Sequence, residues 1–199
     1  PRIANAEGIT IAHLLCHCSG IPSFPQYTDY GNPDEWVYQP QTKAQMLARF
    51  ETMRPEYAPG EQSTYSNTGY VLLGNIIEAV TGSTYAEQLR KRIVNRIGLK
   101  RTRYIGAIHP QHNEARSFTW GDGRWTPSPE EHSSVPAAAG AILSTPSDLT
   151  RFIRALVMNR LMSAASVREM LTPFSAELKD SEKGISVFTL RGVDKKAYQ

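Results

Sequence analysis

Cysteine is scarce, with two residues in 199, Cys16 and Cys18, one position apart. A bridge across so short a loop is strained, so a disulfide framework is excluded and even one structural disulfide is not expected. Two thiols suit a reducing compartment, or burial as small apolar groups. Charge of one sign is lacking too. Lys and Arg total 22 against 19 Asp and Glu, a net +3 scattered along the chain, which argues against nucleic acid or a membrane surface as partner. No apolar run approaches the roughly 20 residues that span a bilayer. The first residues do not show the basic-then-apolar pattern of an export signal. Repeats and low-complexity tracts are absent. What is present is the mixed usage of a soluble globular protein, 40% hydrophobic and 21% charged, in a chain long enough for one domain spanning residues 1–199.

Apolar spacing predicts a helix over 9–18, with Ile11, Leu14 and Leu15 on one face, Thr10 as cap and Ser19-Gly20-Ile21-Pro22 as its end. Residues 23–41, rich in Pro, Tyr, Gly and Asn, read as an irregular loop. Thr42 opens a helix carrying Met46, Leu47 and Phe50 that stops before Pro55. The next helix follows Asn67 and runs to Val80-Thr81-Gly82, with Gly82 as a C-terminal stop. Ser83 or Thr84 then caps a charged helix over 85–97, ended by Gly98. The polar region 104–136 reads as short strands and loops, with a hairpin at Trp120-Gly121-Asp122-Gly123-Arg124-Trp125, where Asp-Gly favours the turn. Ser147 caps a helix over 148–158, and a shorter helix covers 164–171. Strand character gathers at 184–192. The fold class is α+β, mostly helical.

The densest signal is Pro59-Gly60-Glu61-Gln62-Ser63-Thr64-Tyr65-Ser66-Asn67-Thr68-Gly69-Tyr70, followed by Val71-Leu72-Leu73-Gly74-Asn75-Ile76-Ile77. Pro-Gly makes a turn, and three polar side chains then sit on a tight connection before an amphipathic helix. Such a connection can aim Tyr65 and Asn67 into a cleft. The structural alternative is a tyrosine packed under a loop and an asparagine capping the helix.

This stretch resembles the tyrosine-x-asparagine motif of the serine β-lactamase and penicillin-binding protein superfamily, in its class C-like branch of D-alanyl-D-alanine peptidases, D-aminopeptidases and esterases. Ile9-Thr10-Ile11-Ala12-His13-Leu14-Leu15-Cys16-His17-Cys18-Ser19-Gly20-Ile21 is similar to that family's "ITIRHLLTHTSGI" stretch. Pro136-Ala137-Ala138-Ala139-Gly140-Ala141-Ile142-Leu143-Ser144-Thr145-Pro146-Ser147-Asp148-Leu149 is similar to "AAGGLLSTAEDL", and Gly98-Leu99-Lys100-Arg101-Thr102 to "PLGLKRT". The resemblance implies the helical part of a β-lactamase/transpeptidase-like fold, with the central sheet largely missing. It implies Tyr65 as general base or acid and Asn67 as hydrogen-bond partner of a substrate amide, with Ser66 structural. It implies a small-molecule substrate, either a β-lactam, a D-amino acid peptide or an ester. No cofactor is implied, and a periplasmic or secreted setting is suggested.

The family's nucleophile is the serine of Ser-x-x-Lys, with lysine one turn on. No serine of this sequence has lysine three positions later: Ser175 has Lys179 and Ser181 has Lys183. The family's third motif, Lys-Thr-Gly or His-x-Gly, is not found either. The chain is therefore expected to be the middle of an enzyme, with apolar edges exposed and a second copy available to cover them. The rival reading is a non-catalytic relative that has lost the nucleophile and binds a ligand or partner. His13, Cys16, His17 and Cys18 have zinc-ligand chemistry, but their spacing favours a buried helix end with hydrogen-bonded histidines. His109, His112 and His132 read as surface or cleft residues. Tyr27, Tyr30, Trp36, Tyr38, Trp120 and Trp125 read as cleft lining or as plugs under irregular backbone. A phenol of ordinary pKa about 10 takes a proton only beside a cation that favours phenolate. The isolated chain is thus expected to show no acyl transfer, and a serine-dependent burst with nitrocefin or a p-nitrophenyl ester would refute that.

Overall fold

The structure is a computed structural model that describes residues 3–25, 36–104 and 106–172. The strand expected at 184–192, and the aromatics Tyr27 and Tyr30, lie outside those residues. The helices are α1 (Ile11–Leu15), α2 (Lys43–Glu51), α3 (Asn67–Thr81), α4 (Tyr85–Leu89), α5 (Asn95–Ile97), α6 (Ala137–Gly140), α7 (Pro146–Val157) and α8 (Ala164–Leu171). The strands are β1 (Arg103–Tyr104), β2 (Phe118–Gly121), β3 (Arg124–Pro127) and β4 (Ile142–Leu143). They make two two-stranded antiparallel sheets, β1 with β4 and β2 with β3. Among the described residues there is no larger sheet, so the fold is α+β and mostly helical.

Three helix starts follow from threonine caps. Thr10, Thr42 and Thr84 each accept a bond from the peptide N–H three residues on, while His13, Gln45 and Glu87 reach back to the capping residue. Two of the four orphan donors at each helix start are thereby satisfied. α3 takes in Asn67 as its first residue, one earlier than its sequence predicts, and Gly82, at φ 63°, terminates it in the left-handed conformation as expected. The hairpin also forms where Asp122 and Gly123 both take positive φ, the requirement of a tight primed turn.

Three expectations need correction. The first helix is only Ile11–Leu15, because His17 takes φ 59° and the chain turns away before residue 18. The helix expected over 85–97 is interrupted at Arg90–Val94, where the bonding widens to a π turn. The cap of α7 is Thr145, not Ser147: Thr145 Oγ1 accepts from Asp148 N at 3.3 Å, and Pro146 fills the first helical position, where no N–H is needed.

The core gathers Leu14 of α1, Ile21, Phe24, Val37, Met46 and Phe50 of α2, Val71 and Leu72 of α3, and Val135. Phe50, Val37 and Val135 are completely buried. Each such side chain contributes about 1.5–3 kcal/mol by leaving water. α3 is the shared support, packing against α1, α4 and α6. Its Gly74 meets α6 so closely that a Cβ there would lie 2.3 Å from Ala138 Cβ. The hairpin, in contrast, is exposed throughout. Its Trp120 and Trp125 face each other across the strands with ring centroids 5.2 Å apart. α7 likewise presents Leu149, Ile153 and Val157 to the outside, four residues apart on one face.

One carboxylate ties two distant segments. Asp148, buried in the first turn of α7, accepts from Arg101 N at 2.7 Å and Thr102 Oγ1 at 3.0 Å, while Arg151 stands 3.5 Å away. Thr102 Oγ1 also meets Ser144 Oγ at 2.8 Å. The Arg101 peptide N–H, more than any other neighbour, holds the Asp148 carboxyl below the usual carboxylate range. Because the folded pKa is depressed, this stabilisation is complete above the unfolded value of about 3.9 and is lost as pH falls through the folded one. Asp148→Asn is expected to flatten the acid limb of the stability curve below about pH 4, as measured by urea unfolding from pH 7 to pH 2.

Candidate active site

The site is built where the end of α1 meets the start of α3. Beyond Leu15 the chain turns through His17, whose left-handed φ is uncommon outside glycine but more frequent for histidine, asparagine and aspartate. Gly20 follows at φ 74°, and a Cβ there would lie 2.1 Å from the Tyr57 carbonyl oxygen. That close approach lets the 56–60 loop bond to 18–20, with Glu56 N on Gly20 O at 2.9 Å and Gly60 N on Cys18 O at 2.8 Å. Tyr57 Oη then donates to His17 O at 3.2 Å and accepts from Thr64 N at 2.8 Å.

Ser66 is the N-cap of α3 and is buried. Its Oγ accepts from Gly69 N at 3.3 Å and donates to Pro22 O at 3.4 Å, and its own N–H donates to His17 Nδ1 at 3.1 Å. Asn67 N donates to Ser23 Oγ at 3.0 Å, and Thr68 Oγ1 to Pro22 O at 2.6 Å. A helix start that is buried must find such partners for its orphan N–H groups. The cap is therefore Ser66, and Asn67 is the first helical residue rather than the cap.

With the backbone fixed in this way, Tyr65 and Asn67 are brought together. Tyr65 Oη donates to Asn67 Oδ1 at 2.8 Å, and Tyr65 is 46% exposed. The pair therefore opens towards solvent. Asn67 takes the phenol's hydrogen on its oxygen, so its Nδ2 is the donor end of the carboxamide. The ring of His17 lies 4.6 Å from that of Tyr65 and, with planes 30° apart, 5.0 Å from that of Tyr70. Tyr70 Oη donates to Leu15 O at 3.0 Å. Burial, with smaller contributions from Cys16 and Tyr65, pushes the Tyr70 phenol up to about 12. Burial and Cys18 push the Cys16 thiol up to about 11. Both stay protonated near neutral pH, so neither is a base or nucleophile there.

Sequence reasoning singled out Tyr65 and Asn67 and read His17 as a buried, hydrogen-bonded histidine, but missed Ser23 and Tyr57 as supports and Ser66 as the partner of His17. No local pattern could have shown them, since His17 and Ser66 are 49 residues apart. The four residues with zinc-ligand chemistry are turned to other work. His13 Nδ1 accepts from Thr10 N at 3.2 Å, His17 Nδ1 from Ser66 N, and Cys18 Sγ donates to Cys16 O at 3.3 Å. Cys16 and Cys18 are both buried and unbridged. His109 and His112 lie side by side, with rings 5.5 Å apart. His132 meets Ser134 Oγ at 2.8 Å and lines a cavity of about 430 Å³ with Tyr38 and Arg116. Trp36 is a plug: it packs on Phe24 and carries the Arg49 guanidinium 4.0 Å above its ring.

A family model described as Beta-lactamase matches residues 2–188. The chain belongs to the beta-lactamase family. Among curated relatives, penicillin-binding protein 4* of Bacillus subtilis is 29% identical over 179 residues, covering 84% of this chain and 40% of that protein. A putative D-alanyl-D-alanine carboxypeptidase of Escherichia coli K12 is 35% identical over 100 residues, 50% of this chain and 23% of its own. Among solved structures, a D-stereospecific amidohydrolase from Streptomyces sp. superposes with a TM-score of 0.74 at 30% identity, covering 83% of this chain and 52% of the other. The octameric penicillin-binding protein homologue of Pyrococcus abyssi gives 0.69 at 30% identity, covering 83% and 39%. The chain thus spans about half, or less, of the length of these beta-lactamase family members. Among its described residues no helix is long and apolar enough to cross a membrane.

Two substitutions separate the scaffold from the exposed pair. Ser66→Ala is expected to lower stability by about 0.5–2 kcal/mol through loss of a buried cap. Tyr65→Phe is expected to stay within about 0.5 kcal/mol of the parent, as an exposed change does. Urea-unfolding midpoints of the two variants check this.

Proposed function

We propose that this chain carries the Tyr-x-Asn corner of a serine hydrolase that works through an acyl-enzyme. The observation that carries the reading is the solvent-facing Tyr65–Asn67 pair, held on the buried Ser66 cap at the start of a rigid helix. The nucleophile and its lysine would come from a Ser-x-x-Lys motif that this sequence does not contain. In the assembled site the serine oxygen attacks the substrate carbonyl carbon, and its proton passes to Tyr65 Oη as phenolate. Tyr65 then returns that proton to the leaving nitrogen or oxygen as the acyl bond breaks, and water repeats the sequence in reverse. Asn67 Nδ2 donates to a substrate carbonyl and orients it. Residues 1–199 act as one unit in this reading.

β-Lactams, D-amino acid peptides and esters share this chemistry. D-Configured amides and peptides are favoured, because the relatives include D-alanyl-D-alanine carboxypeptidases and a D-stereospecific amidohydrolase. The exposed α7 stripe of Leu149, Ile153 and Val157 supports self-association.

The test uses the full-length gene product, treated with a fluorophosphonate and separately with penicillin and analysed by mass spectrometry. The expected result is one covalent adduct on the serine of a Ser-x-x-Lys motif upstream of Pro1. Tyr65→Phe is expected to slow its formation about 10²–10⁴-fold. A reading frame without that motif, or a protein that binds penicillin with no adduct, would point to the non-catalytic relative instead.

A further inference from the structure

A phenol on a connecting segment needs something to hold it in one place, and three consecutive residues of that segment converge on one residue, through its carbonyl and its ring. The Thr64 N–H donates to the His17 carbonyl oxygen at 3.0 Å. The Tyr65 ring lies against the His17 imidazole, with centroids 4.6 Å apart. The Ser66 N–H donates to His17 Nδ1 at 3.1 Å. We propose that His17 is the positioning residue for Tyr65, acting on the phenol through the backbone on either side of it and through the face of its ring. This rests on the hydrolase reading for its consequence in catalysis, but its geometry stands by itself.

The chemistry of the contact defines what His17 must be. A peptide N–H can only donate, so Nδ1 must offer its lone pair to Ser66, and the ring is the neutral tautomer with its proton on Nε2. The imidazole also stacks on Tyr70, with centroids 5.0 Å apart and planes 30° apart, and the Tyr70 hydroxyl is anchored on Leu15 O. The imidazole is therefore packed against both phenol rings and buried. Ser66 is 2% exposed, so its N–H, deprived of Nδ1, is left buried without its acceptor. The left-handed φ of His17 is what turns the ring back towards α3. Asparagine is the natural imitator: it tolerates that φ and its Oδ1 is an acceptor. Phenylalanine keeps a ring but offers no acceptor.

Two variants and one wild-type measurement test the proposal. In the 199-residue chain, the ¹³Cζ resonance of Tyr65, identified by its loss in Tyr65→Phe, is expected to stay in place in His17→Asn and to shift or broaden in His17→Phe. In the full-length gene product, His17→Phe is expected to lower kcat for a p-nitrophenyl ester about 10- to 100-fold, as a misplaced catalytic group does, with KM nearly unchanged. His17→Asn should restore kcat to within about threefold of wild type, well short of that loss. Long-range ¹⁵N spectra of the unsubstituted chain should show the Nε2-protonated ring and a Ser66 amide slow to exchange, whether or not the variants fold. Equal losses in both variants, or a proton on Nδ1, would overturn the proposal. Absence of any acylation by the full-length protein would sink the hydrolase reading alone, while the resonances still decide whether His17 positions Tyr65.

Discussion

The start of α3 is a helix end that has been buried, and buried peptide N–H groups must be bonded. Ser66 serves Gly69, Ser23 serves Asn67, and His17 serves Ser66 itself. The last two of these come from the segment 17–23, which is distant in sequence, so satisfying the helix end also fixes α3 against the turn that follows α1. Residues 65 and 67 flank the cap, and their directions are set by it. The reactive-looking pair is solvent-facing because the residue between them is not.

The remainder of α3 pays for this arrangement. Val71 and Leu72 enter the core beside Leu14 and Phe24, and Gly74 lets α6 approach to side-chain contact. A helix of 15 residues anchored in this way resists rotation about its axis. Placement of a phenol immediately ahead of its cap therefore inherits the rigidity of the whole core.

Local chemistry was the legible part of the sequence. Thr10, Thr42 and Thr84 are caps because a hydroxyl three residues ahead of an N–H needs nothing from the rest of the chain, and Asp122-Gly123 makes its turn for the same kind of reason. Tyr65 and Asn67 were legible through resemblance, as their neighbours in sequence are similar to a known pattern. What could not be read was tertiary. Ser147 looked like a cap, yet Thr145 and Pro146 begin the helix two residues earlier and place Asp148 where it reaches Arg101. The first helix looked longer because nothing local announces that His17 will take a left-handed turn. The π turn at Arg90–Val94 has no signature in a run of good helix formers. His17 reads from its spacing as a buried, hydrogen-bonded histidine, and it is one, but its partner is a peptide group 49 residues away that no local pattern names.

The grip of Asp148 on residue 101 has a consequence for sequence drift. It holds the main chain there, not the arginine side chain. Nearly any amino acid at that position supplies the same N–H, so charge and size can wander between homologues without loosening the link. Proline, with no hydrogen to give, is the one replacement the carboxylate cannot accept.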